Sequence, residues 1–210
     1  MGKTLRSVLV GLAVLYAGTA AAADPRATAD VEPEVIAALD KMGTYLRTLQ
    51  AFQIESQTTL DEVLTDGQKI QYAGTVNLLI RRPDRLRAQI ESDRQFRMFL
   101  YDGKSFTMWG PRVGCYATVP APATLAELDD RLAERYGIEL PLRDLFWWGS
   151  VKARTTDITS AIDVGPSQVG GVTCEHYALR EDGADWQIWI QNGDYPLPRK
   201  LVITTTTDDA

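Results

Sequence analysis

The chain has 210 residues, of which 45% are hydrophobic and 24% are charged, and its formal net charge is −6. This composition is typical of a folded globular protein and excludes a disordered, collagen-like or disulfide-dense chain. The acidic balance argues against a nucleic-acid-binding surface, so no nucleic-acid partner is expected. After residue 23, no apolar run is long enough to cross a bilayer.

The first residues have the pattern of a secretory signal. Lys3 and Arg6 give a positive start, residues 7–19 are mostly apolar, and the small residues 21–23 fit a cleavage site. Residues 1–23 are therefore predicted to be a cleaved signal peptide, and residues 24–210 a single domain in the periplasm. A single membrane anchor is the alternative interpretation of the same segment.

The next segments change from helical to strand spacing. Residues 32–49 are predicted to form a helix, because Pro33 suits a first turn and apolar residues recur every three or four positions. From Ala51 onward the period is two, which predicts strands over residues 52–57, 69–82, 85–91, 95–101, 105–109 and 114–119. Short turns join them, so an antiparallel meander is expected.

A helical insertion interrupts the strands. Thr124 and Glu127 form a capping box at its start, and Gly137 suits its end. Strands resume at residues 163–169, 172–180, 185–191 and 199–206, separated by glycine-containing turns.

The most apolar and aromatic stretch of the mature chain, residues 140–148, follows this helix. It is interpreted as core packing, as the lid or mouth of a cavity, or as a contact with a membrane or partner. The candidate lid residues are Leu142, Leu145, Phe146, Trp147 and Trp148.

The predicted fold class is α+β. A strongly curved antiparallel sheet would have its concave apolar face covered by the N-terminal helix and the mid-chain insertion. The interior is either an open ligand cavity or packed solid, and periodicity does not separate the two. If it is open, the expected lining residues are Tyr72, Val76, Leu78, Ile80, Arg82, Leu86, Phe96 and Met98.

Several segments carry a family resemblance. Residues 76–87 and 101–106 resemble the strand-turn-strand and hairpin segments of periplasmic lipoprotein carriers of the LolA/LolB type. Residues 133–141, 171–178, 185–190 and 196–200 resemble an uncharacterised family of predicted periplasmic proteins in that superfamily. The resemblance covers roughly residues 31–206, and the order and spacing of the segments are more specific than any one of them.

This resemblance implies a half-barrel whose helices act as a lid over acyl chains of a lipid or lipoprotein. In the carriers, an arginine before the proline of the second strand points inward and bonds to the lid, and Arg82 occupies that position. Strand parity independently places Arg82 on the apolar face, although an arginine at a strand end also reaches solvent. The carriers usually continue with further C-terminal strands, which this chain would lack.

The expected function is a monomeric, non-enzymatic carrier or sensor of a lipid or acylated protein, with an inner- or outer-membrane partner. The alternative is an envelope interaction or scaffold module with a filled interior.

The chemistry-bearing residues are few. Cys115 and Cys174 are either a disulfide, which an oxidising compartment permits, or two buried free thiols. His176 is the single histidine, and no G-x-S-x-G motif accompanies it. The cysteines and His176 lack the usual spacing of zinc ligands. No catalytic residue, metal or cofactor is expected.

Overall fold

The computed structural model describes residues 31–111, 114–142 and 155–206. The elements of its first half are α1 (Pro33–Thr48), β1 (Ala51–Val63), β2 (Lys69–Arg81), β3 (Arg85–Ser92), β4 (Phe96–Tyr101), β5 (Ser105–Gly110) and β6 (Cys115–Pro120). The elements that follow are α2 (Leu125–Tyr136), a short 3-10 helix (Thr155–Asp157), β7 (Ile158–Val169), β8 (Val172–Glu181), β9 (Ala184–Gln191) and β10 (Pro198–Thr205).

The first sheet contains β1 to β6, and each strand pairs antiparallel with its neighbour in sequence. Strands β1 and β2 pair with each other over their whole length and are longer than the other strands of this sheet. Strand β3 pairs only with the part of β2 from Gly74 to Arg81. The remainder of this hairpin extends past the sheet as a two-stranded arm. At Gly74, where the arm begins, a Cβ atom would lie 2.8 Å from the carbonyl oxygen of Glu91, so glycine allows the close strand approach.

Helix α2 covers one face of this sheet. Its capping box is formed, since the Thr124 hydroxyl accepts a hydrogen bond from the Glu127 amide at 3.3 Å and donates one to the Glu127 carboxylate at 3.0 Å. Gly137 ends the helix in the left-handed conformation. The buried cluster between helix and sheet consists of Val76, Leu78, Ile80, Leu86, Ala88, Phe99, Tyr101, Phe106, Leu128, Leu132 and Leu140.

The second sheet has the strand order β10-β9-β8-β7, and helix α1 packs on it. The start of α1 is tied to β7, because the Glu32 amide donates to the Ala161 carbonyl and the Glu32 carboxylate accepts from the Asp163 amide. The second buried cluster consists of Val35, Leu39, Met42, Ile158, Ala161, Tyr177, Leu179, Ile188 and Ile190.

The predicted α+β class, the antiparallel pairing, the N-terminal helix and the mid-chain helix are confirmed. The strands form two sheets, neither closed, instead of one continuous sheet. The break falls at residues 121–157, where the short hairpin turns that keep neighbouring strands paired give way to a long connection. Helix α2 packs against the first sheet and helix α1 against the second.

We predict that the two faces of the first sheet respond very differently to truncation. Leu78 is fully buried under α2, whereas its neighbour Leu79 is 43% exposed on the opposite face. The substitution Leu78→Ala should lower the free energy of unfolding by about 2–5 kcal/mol because it leaves a cavity, and Leu79→Ala by less than about 1 kcal/mol. Urea unfolding of both variants measures the difference, and equal losses would contradict the assignment of the faces.

We also predict an alkaline loss of stability from the second cluster. Burial, with Asp163 and Glu175 nearby, raises the pKa of Tyr177 to about 12. In the unfolded chain a tyrosine ionises near pH 10, so between about pH 10 and 12 the unfolded state binds fewer protons and stability falls as the pH rises. Urea unfolding at a series of alkaline pH values should show a shallower fall for Tyr177→Phe. The exposed control Tyr195→Phe should follow the parent protein.

Candidate functional site

The inner face of the first sheet, defined as the face under α2, contains half of the predicted lining residues. Val76, Leu78, Ile80 and Leu86 lie side by side on β2 and β3, since Leu78 pairs opposite Ala88 and Ile80 opposite Leu86. All four are buried against α2. They therefore line an interface between sheet and helix that is closed over them in this structure.

Phe96 and Met98 were expected to join this set, and that expectation is wrong. In β4, Phe99 and Tyr101 are the buried inner-face residues, so Phe96 and Met98 point to the opposite, outer face. Tyr101, the last residue before the turn at Asp102, pairs with Phe106 across the hairpin. Residues two apart in β4 share a face, so Phe99 lies on the same face as Tyr101, and Phe96 and Met98 lie on the other. Phe99, Tyr101 and Phe106 are buried inner-face residues that were not among the predicted lining residues. The turn at Asp102 is the sequence feature that could have identified them, because it sets which residues of β4 and β5 pair.

Tyr72 lies in the two-stranded arm, on the inner-face side but beyond α2's buried cluster. Its ring is half-buried, and the Arg94 guanidinium lies 4.0 Å from the ring centroid. Arg94 also forms an ion pair with Glu62 at 2.9 Å. Tyr72 therefore contacts Arg94 of the β3–β4 turn, which is paired with Glu62 of the arm, and is not part of the buried cluster.

Arg82 follows the last residue of β2 and points inward, with its guanidinium 5.7 Å from the centre of the Phe52 ring. Its Nε donates a hydrogen bond of 3.2 Å to the carbonyl of Leu49, the residue that caps α1. Burial lowers the pKa of Arg82. Its Nη2 atom is buried and has no hydrogen-bond partner in the described part of the chain. The resemblance implies a bond from Arg82 to the lid, whereas the hydrogen bond seen here goes to the carbonyl of Leu49, just after α1.

The turn that contains Arg82 and Pro83 also holds the start of α2. The Arg82 amide donates to the Gln50 carbonyl at 2.8 Å, and the Pro83 carbonyl accepts from the Leu125 amide at 2.8 Å. We call these two residues the helix-end turn, because both helices are attached to it. The Leu125 amide is one of the first N–H groups of α2, which have no acceptor within the helix.

A second bond fixes the same end of α2. The Tyr101 hydroxyl donates to the Pro122 carbonyl at 2.7 Å. Burial, with the charge of Asp84 adding to it, raises the pKa of Tyr101, which keeps the hydroxyl protonated as a donor. Beyond Gly137, Ile138, Leu140 and Leu142 meet the inner face through apolar side chains. Two hydrogen bonds, from the Leu125 amide to Pro83 and from the Tyr101 hydroxyl to Pro122, therefore fix the N-terminal end of α2.

Of the predicted lid residues, Leu142 is described, and Leu145, Phe146, Trp147 and Trp148 lie outside the described residues. Leu142 has a φ angle of 56°, a conformation that costs energy for a residue with a side chain. Its side chain is half-buried against the inner-face cluster. Leu142 therefore packs at the edge of the interface between α2 and the sheet.

The two cysteines are separate. Cys115 is an exposed free thiol on β6, and Cys174 is a buried free thiol on β8, in the other sheet. Of the two alternatives, the disulfide is not formed in this structure, and of the two free thiols only Cys174 is buried. Burial raises the pKa of Cys174. Hydrophobic packing accounts for Cys174, as it does for most buried free cysteines.

His176 stacks on Trp189, with ring centroids 3.9 Å apart, and shares a 3.0 Å hydrogen bond with the Gln187 side chain. Lys200 lies 4.4 Å from the Trp189 ring centroid. This stack is a packing arrangement on β8–β10. In the residues that the structure describes, no group of three or more His, Cys, Asp or Glu side chains could hold a metal ion.

Two surface depressions accompany the helices. One, of about 610 Å³, is lined by the polar outward side of α2, from Glu127 to Arg135. The other, of about 240 Å³, lies between α1 and the β8–β9 region and includes Lys41, Glu175 and Tyr177. Both are away from the apolar interface under α2. In the ranges that are described, no helix is long and apolar enough to span a membrane.

The arrangement offers apolar surface and hydrogen-bond donors. The inner face is aliphatic and aromatic over six strands, and half-buried Phe52, Ile54, Ile90, Met108 and Val119 continue it around the buried cluster. Arg82 places a buried donor at one end of this face. Such a surface can enclose a hydrocarbon chain once α2 moves, and Arg82 can bind an oxygen at the end of that chain.

Comparison with known proteins gives a family and distant structural likenesses. The model of the family "Predicted periplasmic protein (DUF2092)" matches residues 36–210. A search of the curated proteins finds no match.

Among solved structures, LprF from Mycobacterium bovis is 13% identical, with a TM-score of 0.44, and the match covers 85% of this chain and 89% of LprF. A DUF1329 family protein from Desulfovibrio piger is 12% identical, with a TM-score of 0.33, over 82% of this chain and 74% of that one. A LolA superfamily protein from Nitrosomonas europaea is 12% identical, with a TM-score of 0.30, over 82% and 72%.

The family expected from the sequence segments is the one found. Because its model matches most of the chain, this protein belongs to the DUF2092 family of predicted periplasmic proteins.

Proposed function

We propose that this protein is an exported carrier or sensor that binds the acyl chain of a lipid or of an acylated protein between α2 and the inner face of the first sheet. The observation that carries the proposal is the contrast between the two sides of this interface. The sheet contributes an apolar face of six strands, and among the described residues the twelve-residue helix α2, with Ile138, Leu140 and Leu142 after it, covers this face. Because the covering element is small and the apolar face is large, an apolar ligand could bind to this face by displacing the helix.

Displacement of α2 would open the site. The helix is attached at the helix-end turn and through Pro122, whereas its far end contacts the sheet through Ile138, Leu140 and Leu142. Rotation about the attached end would exchange aliphatic side chains for acyl CH₂ groups on the same surface. Each buried CH₂ group contributes about 0.8 kcal/mol, so a long chain supplies enough free energy to compensate for the lost helix contacts.

Arg82 is proposed to bind the polar end of the ligand. Its Nη2 is buried near Phe52 without an acceptor, and a carboxylate, ester or amide oxygen would provide one. A hydrogen bond to a charged group is worth about 1.5–3 kcal/mol, which would set the position of the ligand along the face. Under this proposal Arg82 also links ligand binding to the end of α1, through Leu49.

A scaffold or interaction module of the envelope is the second candidate function. The observation that favours it is the fully buried state of Leu78, Leu128 and Leu132, since α2 already fills the inner face. A scaffold would keep α2 in place and bind no acyl ligand. Ligand uptake therefore separates the two candidates.

We expect a bulky side chain on the inner face to block uptake. Met108 is a half-buried inner-face residue, and Thr107 beside it points to the outer face. The substitution Met108→Trp should lower the affinity for a fluorescent fatty acid at least tenfold, while Thr107→Trp should leave it within twofold. Circular dichroism and thermal unfolding check that both variants fold. If neither the parent protein nor Thr107→Trp takes up the fatty acid, the scaffold is the better account.

We expect Arg82 to distinguish ligands by their polar end. Arg82→Leu should weaken binding of a fatty acid about tenfold, because the carboxylate loses a charged hydrogen bond, and should leave the matching fatty alcohol within about threefold. The control Arg81→Leu changes an exposed outer-face arginine and should affect neither ligand. Competition against a fluorescent fatty acid gives both affinities. A change in stability alone, with both affinities unaltered, would show that Arg82 has only a structural role.

A further inference from the structure

The outer face of the first sheet has an exposed group of apolar residues that the proposed function does not use. Met98, Trp109 and Tyr116 lie directly opposite one another on β4, β5 and β6. Phe96 packs edge-to-face on Trp109, with ring centroids 5.7 Å apart, and Leu100 follows Met98 on the same face. We call these five residues the outer aromatic patch.

The residues of the patch are exposed to solvent, although they lie next to one another. Trp109 is 38% exposed, Leu100 41% and Tyr116 75%. Scattered exposed apolar residues are ordinary, but neighbouring ones that pack on each other across three strands mark a binding surface. The adjacent residues of the same strands, Phe99 and Phe106, are buried under α2, so the core does not account for the patch.

Two free positive charges border the patch. Arg87 lies in register between Leu100 on β4 and Leu79 on β2, and all three point to the outer face. Arg81 lies on the same face of β2. Both arginines are exposed, and neither forms an ion pair with any residue that the structure describes. Glu91 lies opposite Phe96 at the other end of the patch, so the positive charge is at the Leu100 end, whereas the chain as a whole has a net negative charge.

We propose that the outer aromatic patch, with Arg81 and Arg87, docks the protein on the surface of an anionic phospholipid bilayer. Trp and Tyr side chains favour the boundary between lipid and water, and arginines beside them attract anionic headgroups. The family is described as periplasmic, and the periplasm is bounded by bilayers. The charge of Arg81 and Arg87 complements these lipids.

Docking through the outer face does not depend on the acyl site. The patch and α2 lie on opposite faces of one sheet, so a docked molecule would hold α2 away from the bilayer. A vesicle-binding experiment therefore tests this proposal even if the protein carries no acyl ligand.

The test is flotation of the protein purified from its own envelope with vesicles of phosphatidylglycerol and phosphatidylcholine, and with vesicles of phosphatidylcholine alone. The parent protein should bind the anionic vesicles more strongly. Trp109→Ser combined with Tyr116→Ser should weaken this binding at least tenfold. Arg81→Gln combined with Arg87→Gln should weaken binding to the anionic vesicles about tenfold and change binding to the neutral ones little.

The matched control is Tyr195→Ser, which removes a tyrosine of 60% exposure outside the patch and should bind like the parent. Far-ultraviolet circular dichroism confirms that each variant folds. Absence of binding by the parent protein, or an equal loss in Tyr195→Ser, overturns the proposal. In the first case the patch would instead be a surface for another protein.

Discussion

The helix-end turn at Arg82 and Pro83 is the constraint on which the arrangement of helices depends. The Arg82 amide and side chain bond to the Gln50 and Leu49 carbonyls at the end of α1, and the Pro83 carbonyl accepts from Leu125 at the start of α2. Helix α1 packs on the second sheet and α2 on the first. One turn after β2 thus connects the helices that cover two separate sheets.

Because of this attachment, the two ends of α2 are held by different kinds of interaction. At the N-terminal end, the capping box, the Leu125 amide and the Pro122 carbonyl are all hydrogen-bonded. Hydrogen bonds have strict geometry, so this end is fixed in position. Beyond the opposite end, Ile138, Leu140 and Leu142 pack on the sheet through apolar contacts, which are not directional and which a hydrocarbon ligand can replace. A helix anchored in this way is suited to act as a lid, and Arg82 lies beside its anchor.

Period-two alternation and turn residues predict most strands, the spacing of apolar residues and the capping box predict the two helices, and strand parity places Leu78 and Arg82 on the inner face. The same reasoning failed for Phe96 and Met98, because their apolar character suggested the interior while the register from the Asp102 turn places them outside. The division into two sheets was not predictable, since period-two alternation does not state which strands pair across a long connection. The acceptor of Arg82 on α1 depends on tertiary packing and has no local signal.

The most direct measurement of the central claim is native mass spectrometry of the protein purified from its own periplasm, followed by organic extraction. If α2 is the lid of an acyl-binding site, a fraction of the protein should carry extra mass that extraction releases as a lipid or acylated peptide. A bare polypeptide mass, in a protein that also fails to take up a fluorescent fatty acid, would contradict the account and leave α2 as a permanent part of the core.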